Sequence, residues 1–285
     1  MRRVEVARVR ILLEAVASVR LSGWSGVYAG KLVYDTLSGA GVFLERGGGF
    51  RVSPLREADT GRAVVGQLLP GRRYLLEVAV WGEPGASALI QAFAVAPPRP
   101  LRVVEARAEA VELEAPEPLG WEEALEILRG GAPRLEAVVE ASHGPTFYRH
   151  YAAELAYPSP RRLWSSVARR LADAAEHSGW GERPDYRPLA LVLGEASELL
   201  LDKTKKFYLA ITHGKRQKVF QGHARYRVAA PEGLQGAAEA LIRAANVLGL
   251  GGSPGLGLGG VRAELKGWRR LVEDAEEAPP GPGEG

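Results

Sequence analysis

The periodicity of the apolar residues most limits how this chain can fold. From Val4 to Leu12 polar and apolar residues alternate, with Val9 and Ile11 on one side and Arg8 and Arg10 on the other, which predicts a strand with one buried face. The stretch RRYLLEVAVW repeats the pattern, Tyr74, Leu76, Val78 and Val80 sharing a face. Between them, Ser25 is placed to cap a helix that runs to about Leu37 and stops at Gly39, and GGGFRVSPL reads as a turn into a short strand. Pro97 to Pro100 form a rigid connector. A strand from Val103 to Glu114 changes phase near Val111, which predicts a bulge there, and GWEEALEILRGG is a short helix with a glycine stop. A second round begins with a strand at Leu135–Ala141. An amphipathic helix follows in SPRRLWSSVARRLADAAEHSG, then strands around Lys206–Thr212 and Val219–Val228 joined by HGKRQK. The round closes with a helix from about Pro231 to Leu248 and a strand, GVRAEL.

Strand, helix, strands, helix and strand, met about twice, resembles two ferredoxin-like β-α-β-β-α-β units in tandem. The expected fold is therefore α+β. It consists of two RRM-like units, residues 1–130 and 131–272, each an antiparallel sheet with helices on one face, with a basic groove between them. Residues 273–285 are expected to form a disordered acidic tail. The 285 residues suffice for two domains of ordinary size. There is no cysteine, which excludes a disulfide framework, a thiolate zinc site and a cysteine nucleophile. The five histidines, His143, His150, His177, His213 and His223, show no metal-ligand spacing, and no Gly-x-Ser-x-Gly elbow exists. No cofactor and no metal are expected. Arg8, Arg10 and Glu14 interrupt the first apolar run, so neither a signal peptide nor a spanning helix is predicted, and the expected location is the cytoplasm. A chain rich in Gly, Pro, Arg and Ala, with one Met, suggests a thermophilic source.

Charge is uneven. The formal net charge is +3, yet Lys203 to Arg227 hold eight cations and no acid. Arg102 to Glu140 hold four arginines and ten glutamates. A basic block in a near-neutral chain points to a polyanion bound on one face, although such a block is equally often a solvated hairpin. In the strand Val219–Val228, Phe220, Ala224, Tyr226 and Val228 share one face, and Gln221, His223, Arg225 and Arg227 the other. A sheet face lined this way can hold phosphates by charge and bases by stacking.

The sharpest local signal is NVLGLGGSPGLGLGG, Asn246 to Gly260, in which seven of fifteen residues are glycine. Glycine is costly to order, so such a loop is either a disordered linker or a place where backbone must be approached closely. It lies between a strong helix and a strong strand, which argues against a linker. It lacks the Lys-Ser/Thr ending of a Walker loop, and it runs helix-to-strand where a dinucleotide fingerprint runs strand-to-helix.

Gly249-x-Gly251, five residues, then Gly257-x-Gly259 resembles the signature of the RAMP superfamily, the RNA-binding proteins of CRISPR systems. EASHGPTFYRH is similar to that family's strand ending in a hydroxyl-Pro-Thr-Phe element, with Gly144 in place of the first hydroxyl residue. YPSPRRLWSSVARRL resembles its Pro-x-Pro helix start, and VFQGHARYRV its Gly-Phe-x-Gly strand, with Gln221 where an aromatic is common. YAGKLVYDTL and FRVSPL fall where the family has its first helix and a Ser-Pro-Leu strand. Within the superfamily the resemblance is strongest to the sixth CRISPR-associated protein, the endoribonuclease that cuts precursor CRISPR RNA in its repeats.

The resemblance implies metal-independent cleavage, in which a ribose 2′-hydroxyl attacks the adjacent phosphate and leaves a 2′,3′-cyclic phosphate. It places Tyr34 at the family's tyrosine position, with Lys31 one turn earlier. The histidine position reads Leu44-Glu45-Arg46, with no histidine before His143, and Arg46 and Arg51 are the cations near the lysine position. The candidate catalytic residues are thus Lys31, Tyr34, Arg46 and Arg51. Lys31 is also the only lysine in the first 200 residues. As an alternative, Tyr34 is equally an amphipathic core residue. The candidate RNA contacts are Lys215, Arg216, Lys218, His223, Arg225, Arg227 and Arg262, with Gly249, Gly251, Gly257 and Gly259 letting backbone meet phosphate. The implied partner is CRISPR repeat RNA; effector-complex subunits and a homodimer are also compatible with the family, and no membrane is involved. Two further readings stay open: a homologue that binds the repeat without cutting it, and a structural RAMP subunit of an interference complex.

Overall fold

The structure, a computed structural model, describes residues 2–42, 49–82, 85–130, 134–150, 153–211 and 215–270. β1 (Arg2–Ala15) turns Val9, Ile11 and Leu13 inward and leaves Arg8 and Arg10 on the other face. It pairs antiparallel with β6 (Arg73–Val80) on one side and β7 (Leu101–Ala115) on the other, and β3 (Phe50–Val52) lies outside β6. The order β3-β6-β1-β7, with α1 (Ser25–Gly39) after the first strand and α2 (Ala86–Val95) before the last, is ferredoxin-like. Leu32, Val33 and Leu37 of α1 and Leu89 and Phe93 of α2 cover its inner face. β4 (Arg56–Glu57) adds to β6, and β2 (Val19–Trp24) pairs with β5 (Val65–Leu68) alongside.

The second half repeats the plan. β8 (Arg134–Thr146), β11 (Ser197–Ala210), β12 (Arg216–Pro231) and β13 (Val261–Arg270) form a sheet ordered β11-β12-β8-β13. α4 (Pro160–His177) and α6 (Gln235–Leu248) occupy the two crossover positions. Ser159 caps α4 by accepting a hydrogen bond from the Arg162 amide at 3.3 Å, and Pro160 supplies the preset φ of a first helical residue. α3 (Trp121–Arg129) links the halves, and β9 (Tyr148–His150) pairs with β10 (Ala153–Leu155).

Several local expectations need correction. α2 and α5 (Arg187–Glu195) were not expected: at ten and nine residues they are short, and ASALIQAFAV has little polar stripe for a helical period to show. The irregularity in β7 sits opposite Leu12 and Leu13, between their partners Glu105 and Val103, and not near Val111. The hairpin strands are longer than predicted, and Pro231 ends β12 rather than starting α6. The tail over 273–285 lies outside the described residues.

The halves share a core. Val4 and Val6 of β1 and Leu113 and Ala115 of β7 pack in the same cluster as Val139, Trp164 and Leu241. Trp180 donates to the Arg3 carbonyl at 3.1 Å, and Tyr186 to the Pro116 carbonyl at 3.0 Å.

Candidate nucleic-acid interface

α6 ends where Gly249 takes a φ of 73°, and the chain returns to β13 through a 3-10 turn at Pro254–Leu256. The four patterned glycines face their own chain. A Cβ on Gly251 would lie 2.2 Å from the Phe147 carbonyl oxygen, and one on Gly259 1.7 Å from that of Leu250. Gly257, at φ 67°, would place a Cβ 2.5 Å from the Gly26 Cα. Close packing within the protein therefore accounts for these glycines, where the sequence suggested backbone left bare for phosphate. α1 supplies the opposing surface. Gly26 and Gly30, one turn apart, present a face without side chains, and a Cβ on Gly30 would sit 2.0 Å from the Gly255 carbonyl oxygen. Trp24 Nε1 donates to the Gly257 carbonyl at 3.2 Å. The Gly26-x-x-x-Gly30 spacing was the signal available in the sequence for this joint.

Two arginines hold the joint together. The carbonyls at the end of α6 have no helical partners and carry the negative end of its dipole. Arg51, from β3, donates to the Val247 carbonyl at 2.8 Å and to that of Asn246 at 3.5 Å. Arg170, from α4, donates to the Leu248 carbonyl, to Leu250 at 3.0 Å and to Gly251 at 2.7 Å. Burial, and then the nearby Arg51, lowers the Arg170 pKa to about 9. Burial lowers that of Arg51 to about 10, so both remain cations at neutral pH. The sequence expectations did not include Arg170; its spacing, seven residues after Leu163 and three after Val167, puts it on the buried face of α4, whereas its neighbour Arg169 is exposed.

The joint places α1 beside the loop. Lys31 follows Gly30 and is exposed. Tyr34 is 40% exposed and rests edge-on against Phe50, ring centroids 5.6 Å apart. Its hydroxyl lies 3.2 Å from where a Cβ on Gly255 would sit. Partial burial raises the pKa of that hydroxyl, which therefore carries its proton at neutral pH and can donate it. Arg46 lies outside the described residues.

A cleft of about 1,100 Å3 opens between the two sheets. Arg8, Arg10, Arg51 and Arg56 line it from the first half, and His223 and Arg262 from the second. Five arginines there stand against three glutamates, Glu77, Glu140 and Glu264. Register explains the second wall. Lys203 pairs with His223, His223 with Ser142, and Ser142 with Arg262, so these four form one row across all four strands. Neither Lys31 nor Tyr34 lines this cleft. Arg8 and Arg10 were legible only as the polar side of a strand, and Arg56 was not singled out.

The basic hairpin is not one face. Along β12, Arg216 and Lys218 alternate with Gln217 and Val219, and it is the latter two that share the side of His223, Arg225 and Arg227. The tip cations therefore lie on the opposite face, which corrects the reading of a single basic surface. Arg225 is also paired with Glu140 at 2.9 Å, and Arg227 with Glu198. Such exposed pairs are weak and exchangeable. His143 is a core residue: it shares a 3.0 Å hydrogen bond with the Tyr226 hydroxyl, and burial lowers its pKa to about 4.

Among the described residues no group of three or more His, Asp or Glu is placed to hold a metal ion, and no helix is long and apolar enough to cross a membrane. Residues 141–261 match the sequence model of the CRISPR-associated endoribonuclease Cas6 family. No curated protein sequence matches the chain significantly. A Thermus thermophilus Cas6 has a similar fold over 93% of this chain and all of its own, with 18% identity and a TM-score of 0.58. A Cas6 solved as a substrate-mimic complex aligns over 92% of this chain and all of its own, with 20% identity and a TM-score of 0.54. A RAMP protein described as binding different RNA substrates covers 90% of this chain and 99% of its own, with 15% identity and a TM-score of 0.50. At such identities the likeness is one of fold.

Proposed function

We propose that this chain, a Cas6-type RAMP protein, binds precursor CRISPR RNA and cuts it within the repeats, without metal, leaving 2′,3′-cyclic phosphate ends. The observation that carries the reading is the joint between α1 and the glycine loop, in which the Tyr34 hydroxyl stands beside the turn at Gly255, with the exposed Lys31 one turn earlier on α1. In this reading the 2′-hydroxyl loses its proton to solvent and attacks the adjacent phosphorus, and the bond from phosphorus to the 5′-oxygen breaks. Tyr34 gives its proton to the departing 5′-oxygen, and Lys31 faces the charge that develops on the non-bridging oxygens. The cleft arginines, with His223 and Arg262, hold the flanking strand by its phosphates. The product and substrate-mimic complexes among the structural relatives are consistent with that role.

A second reading is favoured by one observation: the chain has no histidine before His143, so a homologue that holds the repeat without cutting it has the same surface. Incubation with labelled cognate repeat RNA, with and without EDTA, separates the two. Cleavage that survives EDTA and leaves a cyclic phosphate is the expected result. Tight binding without a cut establishes the second reading, and the absence of both overturns the proposal.

A further inference from the structure

Beside α4 lies a cavity of about 740 Å3 that shares no lining residue with the cleft, within the roughly 300–1,000 Å3 typical of small-molecule sites. Six arginines line it against two aspartates, Asp173 and Asp185. They are not equivalent. Arg183 is paired with Asp173, Arg187 with Asp185 at 2.7 Å, and Arg170 is committed to the loop carbonyls. Arg149 and Arg169 are exposed. Arg149 lies over the Phe147 ring at 5.6 Å, and Arg169 makes no hydrogen bond or ion pair among the described residues.

Besides small residues and prolines, the lining includes three buried aromatic side chains. Trp81, Tyr148 and Tyr186 are each no more than 8% exposed. The Tyr148 hydroxyl is buried without a hydrogen-bond partner, a costly state for a polar group that a ligand atom would relieve. On the rim, Ser253 has a φ of 54°, the one positive value at a non-glycine among the described residues, and such strain concentrates at ligand clamps. Guanidinium forks match phosphate, and an aromatic floor matches a planar base. A site for phosphate alone would have no use for the aromatic floor.

We propose that this cavity binds a nucleoside phosphate, with its phosphate on Arg149 and Arg169 and its base against Trp81, Tyr148 and Tyr186. The source is either a free mononucleotide or the end of an RNA strand. The second fits the geometry of the loop, since Pro254 lines the cavity and the adjacent Gly255 meets Tyr34. The site does not depend on the chain being an active nuclease.

Titration calorimetry on the full chain with 5′-AMP and with inorganic phosphate tests it. AMP should bind at least about tenfold more tightly than phosphate, and Arg149→Glu with Arg169→Glu should weaken AMP by at least about tenfold at an unchanged melting temperature. Tyr148→Phe should weaken AMP while leaving the fold intact, a readout that a merely structural tyrosine would not move. Short single-stranded RNAs with and without a terminal phosphate distinguish the sources. A gain from the phosphate that the double variant loses assigns the site to an RNA end; AMP binding without such a gain assigns it to a free nucleotide. No AMP binding at millimolar concentration, or wild-type binding by the double variant, overturns the proposal.

Discussion

Tyr34 and Lys31 carry the proposed chemistry with very different surroundings. Tyr34 leans on Phe50 and meets the glycine loop, whereas Lys31 stands in solvent one turn earlier. Removing a general acid or a charge-stabilising donor typically costs about 100-fold or more in rate. Lys31→Ala should lower single-turnover cleavage at least about tenfold, with little change in RNA affinity. Tyr34→Phe, which keeps the ring on Phe50, should also lower it. Cleavage that persists in both variants but vanishes in His223→Ala would move the active site into the cleft. His143 makes a separate prediction. Its folded pKa, about 4, lies below the ordinary 6.5, so the unfolded chain binds the extra proton. Its contribution is therefore present above pH 6.5 and is lost as pH falls from there towards 4, by up to about 3 kcal/mol. His143→Gln should flatten the melting temperature over that range, and an unchanged pH profile would remove the assignment.

At the scale of elements, the decisive contact is glycine on glycine. α1 offers Gly26 and Gly30, and the loop offers Gly255 and Gly257. A valine at Gly257 meets the α1 backbone and must also adopt a strained positive φ, a cost of about 1–3 kcal/mol before the clash is counted. Gly257→Val and Gly30→Val should therefore lower the melting temperature by several degrees, and RNA binding should fall with the fold. Either variant melting like wild type while losing RNA would return these positions to direct ligand contact. Arg170 acts in the same joint, where it alone satisfies three loop and helix carbonyls.

For the whole molecule, the arrangement of two sheets around one cleft replaces the linear charge block as the basis for the proposed RNA binding. A protein that neutralises phosphates loses affinity with salt in proportion to their number, with a slope of about 0.7 per phosphate on single strands. Arg56→Ala with Arg262→Ala, one from each wall, should flatten the slope of log affinity against log salt by about 1.4. Lys215→Ala, Arg216→Ala and Lys218→Ala together should flatten it by up to about 2 if the RNA also reaches the outer face of the hairpin tip. A slope unmoved by the first set would exclude the cleft, and one unmoved by the second would confine the RNA to it.

The ferredoxin-like plan was legible in the sequence because strand alternation and helical spacing are local. Val9, Ile11, Tyr74, Leu76, Phe220 and Tyr226 announced their buried faces, and those faces are buried. The glycine spacing and the Ser159-Pro160 start of α4 were equally local signals. α2 and α5 were hidden because helices of ten and nine residues offer few turns in which a period can show. What no linear reading contained was pairing across the fold. Register set His223 beside Ser142 and Arg262, alternation divided the basic hairpin between two faces, and packing turned Arg51 and Arg170 onto the end of α6. These depend on which strand lies next to which and on which backbones touch. Only tertiary structure decides that, because the partners are distant in the chain and interchangeable by residue type.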